Sequence, residues 1–159
     1  MSGNYVFKFL GLSDWPRMMA IERSSFDNPW SAQVMRDSLA AAHTRSIGLF
    51  VDSIMIGYVL LSIVLDEAEI LSMTIHPQYQ GQGFGTALLT EGINEAFRLG
   101  AKMLYLEVRK NHPTAIHLYK KLGFIEMGIR PNYYPNIHTG KPDDALLMSL
   151  TLTEGFSNK

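Results

Sequence analysis

The stretch from Ile70 to Leu89 constrains this chain more than any other. Ile70-Leu71-Ser72-Met73-Thr74-Ile75 is largely apolar and strand-favouring, and it breaks at His76-Pro77. Proline lacks a donor and pushes the residue before it away from helical geometry. Glycines follow at alternate positions, Gly81, Gly83 and Gly85. Leu88, Leu89, Ile93, Ala96 and Phe97 then recur at helical spacing. The reading is strand, glycine loop, helix. Such a junction leaves backbone N–H groups without partners at the positive end of a helix dipole, which suits phosphate. The competing reading is a plain structural turn. Three alternating glycines at a strand-to-helix junction favour the anion site.

The remaining elements follow from the same signals. Val6 to Leu10 reads as a short strand. Ser13 or Asp14 caps a helix with Pro16 in its first turn, and Ser31 caps a second with Val34, Met35 and Leu39 inward. Ile47–Val51 and Met55–Val64 form a hairpin about Asp52-Ser53, with Gly57 marking a bulge or a close backbone approach. Ala68 to Ile75 enters the glycine loop, and Gly100 stops the helix after it. Lys102 to Val108 is a strand, Pro113 to Leu122 a helix, and Ile125–Ile129 and Ala145–Leu152 close the sheet. Two late strand–helix–strand units imply a mixed α/β sheet, with ligand at the carboxyl end of its strands.

A chain of 159 residues suits one domain, taken as 1–152, with 153–159 as a frayed tail. The net charge of −1, with acids and bases interspersed, argues against a general grip on nucleic acid or an anionic membrane. There is no cysteine, hence no thiolate nucleophile and no cysteine metal site. The five histidines show no metal-binding spacing, so no metal is expected. No apolar run reaches membrane-spanning length, and Met1 to Tyr5 lacks a leader pattern. A cytoplasmic protein, monomer or weak dimer, is the expectation.

The glycine loop lacks the lysine of a Walker motif, and the dinucleotide fingerprint does not fit its spacing. Gln80-x-x-Gly83-x-Gly85 instead resembles the pyrophosphate loop of the GCN5-related N-acetyltransferases, the GNAT family, which bind acetyl-CoA. The resemblance extends over nearly the whole chain. Within the family it is most similar to the RimI-type branch, which acetylates the terminal alanine of a small-subunit ribosomal protein. The segments that carry this are Pro29-Trp30-Ser31, Leu65-Asp66-Glu67-Ala68, Leu106-Glu107-Val108-Arg109, Ala115-Ile116-x-Leu118-Tyr119-x-x-Leu122-Gly123-Phe124 and Ile129-Arg130-x-Asn132-Tyr133-Tyr134-Pro135.

The resemblance implies a GNAT fold: a central, mostly antiparallel mixed sheet of six to seven strands flanked by about four helices. It implies acetyl-CoA held by Met73, Thr74 and Ile75 of the strand, by Gln80, Gly81, Gln82, Gly83, Phe84, Gly85 and Thr86 of the loop, and by Asn111 or His112. It implies Glu107 as general base and Tyr119 as general acid. Phe26, Trp30, Arg130, Tyr133 and Tyr134 would wall the acceptor groove. Gly81 stands where relatives often carry arginine, His112 where they carry asparagine, and Pro131 where they often carry a second arginine.

The chemistry is consistent with these types. An attacking amine must be neutral, and a terminal amine, with a pKa near 7.7–8.0, sheds its proton far more readily than a lysine near 10.4. A carboxylate raised by burial or acting through water then suffices as base, and a phenol can protonate the departing sulfur. The alternative for Glu107 is an ion pair with Arg109 or Lys102; for Tyr119 it is a core tyrosine. Two other functions stay open: acetylation of a small amine such as a polyamine or aminoglycoside, and non-enzymatic binding of coenzyme A.

Overall fold

A computed structural model of the chain describes residues 4–153. Its strands are β1 (Tyr5–Leu10), β2 (Thr44–Val51), β3 (Ile54–Val64), β4 (Glu67–Ile75), β5 (Met103–Arg109), β6 (Ile125–Tyr134) and β7 (Asp143–Thr151). They form one sheet in the order β1-β2-β3-β4-β5-β7-β6, antiparallel throughout except between β4 and β5. The helices are α1 (Trp15–Ser25), α2 (Ala32–Ala40), α3 (Phe84–Arg98) and α4 (Pro113–Lys121). This is the mixed, mostly antiparallel architecture expected above. Of the expected tail, only Thr153 lies within the described residues.

Strand alternation splits the core in two. On one face Met18, Met19 and Ile21 of α1 and Met35 of α2 pack on Phe50, Met55 and Tyr58. On the other, Phe84, Leu88, Leu89, Ile93 and Ala96 of α3 and Tyr119 of α4 pack on Leu49, Val59, Leu61, Leu104 and Leu106. Local chemistry sets the element ends. Asp52 and Ser53 both have positive φ, 50° and 68°, as a two-residue hairpin with right-handed strand twist requires. Ser31 Oγ accepts the Val34 N–H at 3.1 Å and starts α2. At Gly57, any Cβ would meet Thr74 O at 2.8 Å and Ile75 Cδ1 at 2.6 Å, so β3 and β4 lie together only because it is glycine.

Two expectations are corrected. Val34 is 46% exposed, and α2 turns Met35 and half-buried Leu39 inward, four residues apart on one stripe. The first strand of the closing pair does not stop at Ile129: β6 continues through Pro131 to Tyr134. Proline is tolerated there because β6 is the sheet edge, and its register with β7 breaks between Arg130 and Tyr134.

Candidate active site

The parallel neighbours β4 and β5 pair only at Glu67–Met103, Ala68–Leu104 and Glu69–Tyr105. Beyond that point they part. The cause is local: on the β3 side Leu60 pairs with Ser72 while Leu61 pairs with Ile70, so Leu71 is an extra residue in β4. A bulge bends its strand, and this one turns β4 away from β5 where pairing ends. The gap opens into a cleft of about 490 Å³ lined by Ile70 to Met73 on one side and Leu106 to Arg109 on the other. Because it passes between strands, it joins the two faces of the sheet. Glu107 borders it from β5 and Tyr119 from α4, which packs on the helical face with α3.

Glu107 keeps about a fifth of its side chain exposed, and its Oε1 lies 3.1 Å from Arg130 Nη2. The partner is neither Arg109 nor Lys102: Arg109 pairs with Asp143 at 3.0 Å and donates to the Pro135 carbonyl at 2.9 Å. Glu69 on the neighbouring strand has its carboxyl raised by burial and by the Glu107 charge, partly offset by Arg130. Tyr119 is buried, and burial pushes its phenol up to about 12. Its ring meets Phe124 edge-on at 5.6 Å, and among the described residues no protein group bonds its hydroxyl.

Past Ile75, β4 leads into the glycine loop at the start of α3. Gly81 and Gly83 have φ of +76° and +88°, and Gly83 caps α3 without any side-chain bond. Ala87 N–H to the Gly83 carbonyl, 3.2 Å, is the first bond of the helix. Among the described residues the amides from Gly81 to Thr86 therefore meet no protein acceptor, and nothing lies within 4 Å of a Cβ built on Gly81. An anionic diphosphate fits this donor set. Gln80 serves differently: its side-chain amide donates to the Ile75 carbonyl at 2.8 Å and folds the loop back on β4. Met73 borders the cleft, while Thr74 and Ile75 are buried. At the start of α4, His112 Nδ1 accepts the Ala115 N–H at 3.2 Å as helix cap, and Asn111 donates to Asp143 at 3.2 Å.

Phe26 and Trp30 from the α1–α2 loop line the same cleft as Tyr134. Tyr134 has its phenol raised to about 12 by burial first and the Glu107 charge second, and Arg109 stacks on its ring at 4.8 Å. Tyr133 turns out of the cleft, 45% exposed, with Arg130 over its ring at 4.8 Å. Asp143, which sits in no recognisable motif, ties Arg109, Asn111 and Asn136 together. Glu22 of α1, outside every sequence motif, also lines the cleft. Its signal was a carboxylate inside the apolar stripe of Met18, Met19 and Ile21.

The sequence pattern of the acetyltransferase (GNAT) family matches residues 15–124. The chain is 35% identical over 144 residues to the [ribosomal protein bS18]-alanine N-acetyltransferase of Escherichia coli K12, covering 91% of this chain and 95% of that one. It is 37% identical over 144 residues to a putative [ribosomal protein bS18]-alanine N-acetyltransferase of Bacillus subtilis, covering 90% and 93%. The crystal structure of the ribosomal-protein-S18-alanine N-acetyltransferase from Escherichia coli superposes with a TM-score of 0.89 at 33% identity, covering 94% and 95%. Arabidopsis thaliana NAA60, solved in complex with acetyl-CoA, shares the fold at a TM-score of 0.83 and 19% identity, covering 94% and 99%.

Proposed function

Since this chain belongs to the acetyltransferase (GNAT) family and is an N-acetyltransferase, we propose that it moves an acetyl group from acetyl-CoA to the α-amino terminus of a protein, with the terminal alanine of ribosomal protein bS18 as acceptor. The observation that carries this is the end-to-end identity to bS18-alanine acetyltransferases, which spans both walls of the cleft. Such a reaction belongs in the cytoplasm, where ribosomes are assembled.

Acetyl-CoA supplies a thioester whose acyl carbon is open to attack by an amine. The amides from Gly81 to Thr86 hold the diphosphate, and the unpaired edge of β4 from Ile70 to Met73 offers main-chain bonds to an extended arm. That places the acyl carbon in the gap, between the two faces of the sheet. The peptide terminus enters past Phe26, Trp30 and Tyr134. Glu107 keeps one carboxylate oxygen beyond its bond to Arg130 and takes the amine proton, directly or through one water. As the C–N bond forms and the C–S bond breaks, Tyr119 Oη gives its proton to the sulfur. A phenol is protonated at neutral pH, as an acid must be, and burial of Tyr119 reinforces this.

The test is mass spectrometry of peptides incubated with acetyl-CoA. An alanine-initiated peptide matching the bS18 terminus should gain one acetyl group on its terminal nitrogen. Acetylation confined to spermidine or to lysine side chains, or of nothing in the panel, removes the reading.

A further inference from the structure

Glu22 is 2% exposed yet stands at the cleft floor. Its Oε2 accepts the Trp30 N–H at 2.9 Å, and its Oε1 accepts the Tyr58 hydroxyl. That hydroxyl lies 3.2 Å from Ser72 Oγ. Among the described residues no lysine, arginine or histidine pairs with Glu22. A carboxylate buried without a cation is costly and persists only where hydrogen bonds satisfy it. Here those bonds run from α1 to the loop at Trp30 and to β3 at Tyr58, and Tyr58 carries the chain on to Ser72 of β4.

Trp30 also packs on the cluster of Met18, Met35 and Tyr58, but the residues just before it are weakly tethered. Phe26, Asp27 and Asn28 are exposed and non-helical. At the outer end Asp27 meets His138 of the β6–β7 loop at 2.7 Å, but both side chains are well exposed, and such pairs contribute little. The inner attachments, that packing and the bond to Glu22, are therefore what fix the loop. Ser72 sits next to the Leu71 bulge, so the chain of contacts refers Trp30 to the point where β4 leaves β5.

We infer that Glu22 is a positioning residue for the acceptor: it fixes the Trp30 wall relative to the gap and so sets the fit of the incoming peptide terminus. The inference rests on the terminal-acetyltransferase reading. Glu22 acts through Trp30 and touches neither donor nor acceptor.

Two substitutions separate position from charge. Glu22→Leu removes both bonds. Glu22→Gln keeps an oxygen for the Trp30 N–H and offers an amide donor to the Tyr58 hydroxyl, but carries no charge. Kinetics with the alanine-initiated peptide should show KM raised about tenfold in Glu22→Leu with kcat changed less than about threefold, the size expected for loss of a hydrogen bond to a charged group. The affinity for acetyl-CoA should not change, and Glu22→Gln should stay near the parent. Incorporation of 5-fluorotryptophan reports the loop without any turnover, since the chain has two tryptophans, Trp15 and Trp30. The Trp30 resonance should move in Glu22→Leu while Trp15 stays. An unmoved KM and an unmoved Trp30 resonance overturn the inference, as does Glu22→Gln matching Glu22→Leu in KM, which would mean the charge acts on the acceptor itself. If Glu22→Leu does not fold, Tyr58→Phe takes its place, with the same two readouts expected to move and their constancy counting against. Parent protein inactive on every peptide would sink the acetyltransferase reading alone, leaving the fluorine spectra to judge Glu22.

Discussion

Arg130 Nη2 stands 3.1 Å from Glu107 Oε1, across the step from β6 to β5 with β7 between them. The carboxylate at the gap is thus held by a cation from the sheet edge, which fixes its direction and leaves its other oxygen outside the pair.

Glu107→Gln retains the shape and loses the proposed base. Peptide acetylation should fall roughly 10²–10⁴-fold in kcat, the usual worth of a positioned base, while calorimetry finds acetyl-CoA binding little changed. Arg130→Gln should cost about tenfold in kcat/KM through a misdirected Glu107. Equal acetylation rates in parent and Glu107→Gln would exclude the carboxylate from proton transfer.

The phenol of Tyr119 is raised by burial to about 12, against about 10 in an unfolded chain. The native state therefore holds that proton more tightly. Its stabilising contribution is complete below about pH 10 and is lost as pH rises toward 12, an amount of about 2–3 kcal/mol. Urea titrations at about pH 8 and about pH 11 should show roughly half of this loss, about 1.4 kcal/mol, in the parent and a smaller change in Tyr119→Phe. The same variant should acetylate peptides about 10²-fold more slowly at neutral pH.

Gly81→Ala adds a methyl that meets no atom, at a φ of +76°. Strain alone should then cost about 1 kcal/mol in thermal unfolding. If the loop amides clasp a diphosphate against bare backbone, acetyl-CoA affinity should drop by more than that strain explains, and adenosine 3′,5′-diphosphate should lose affinity in parallel.

At Gly57 the obstacle is packing. A Cβ there lies 2.8 Å from the Thr74 carbonyl, and a carbonyl in a strand ladder has little room to retreat. Gly57→Ala should destabilise by about 1–3 kcal/mol in denaturant titration, as overpacking does. A neutral result would mean that β3 and β4 part without penalty.

The elements themselves could be read along the chain because they depend on neighbours in sequence. Asp52-Ser53 makes its hairpin, Ser31 starts α2, and glycines after Ile75 open a helix end, whatever the rest of the molecule does. The same holds for Glu107 and Tyr119 as candidates, since each sits in a recognisable local pattern. What local pattern could not supply is anything decided across the sheet. That Glu107 meets Arg130 instead of Arg109 depends on β7 inserting between β5 and β6. That Tyr133 leaves the cleft while Tyr134 enters it depends on the broken register after Arg130. The gap itself arises from one surplus residue, Leu71, which has meaning only once Leu60 and Leu61 have chosen their partners. Periodicity reports which side of its own strand or helix a residue occupies; pairing between segments distant in sequence determines what that side faces.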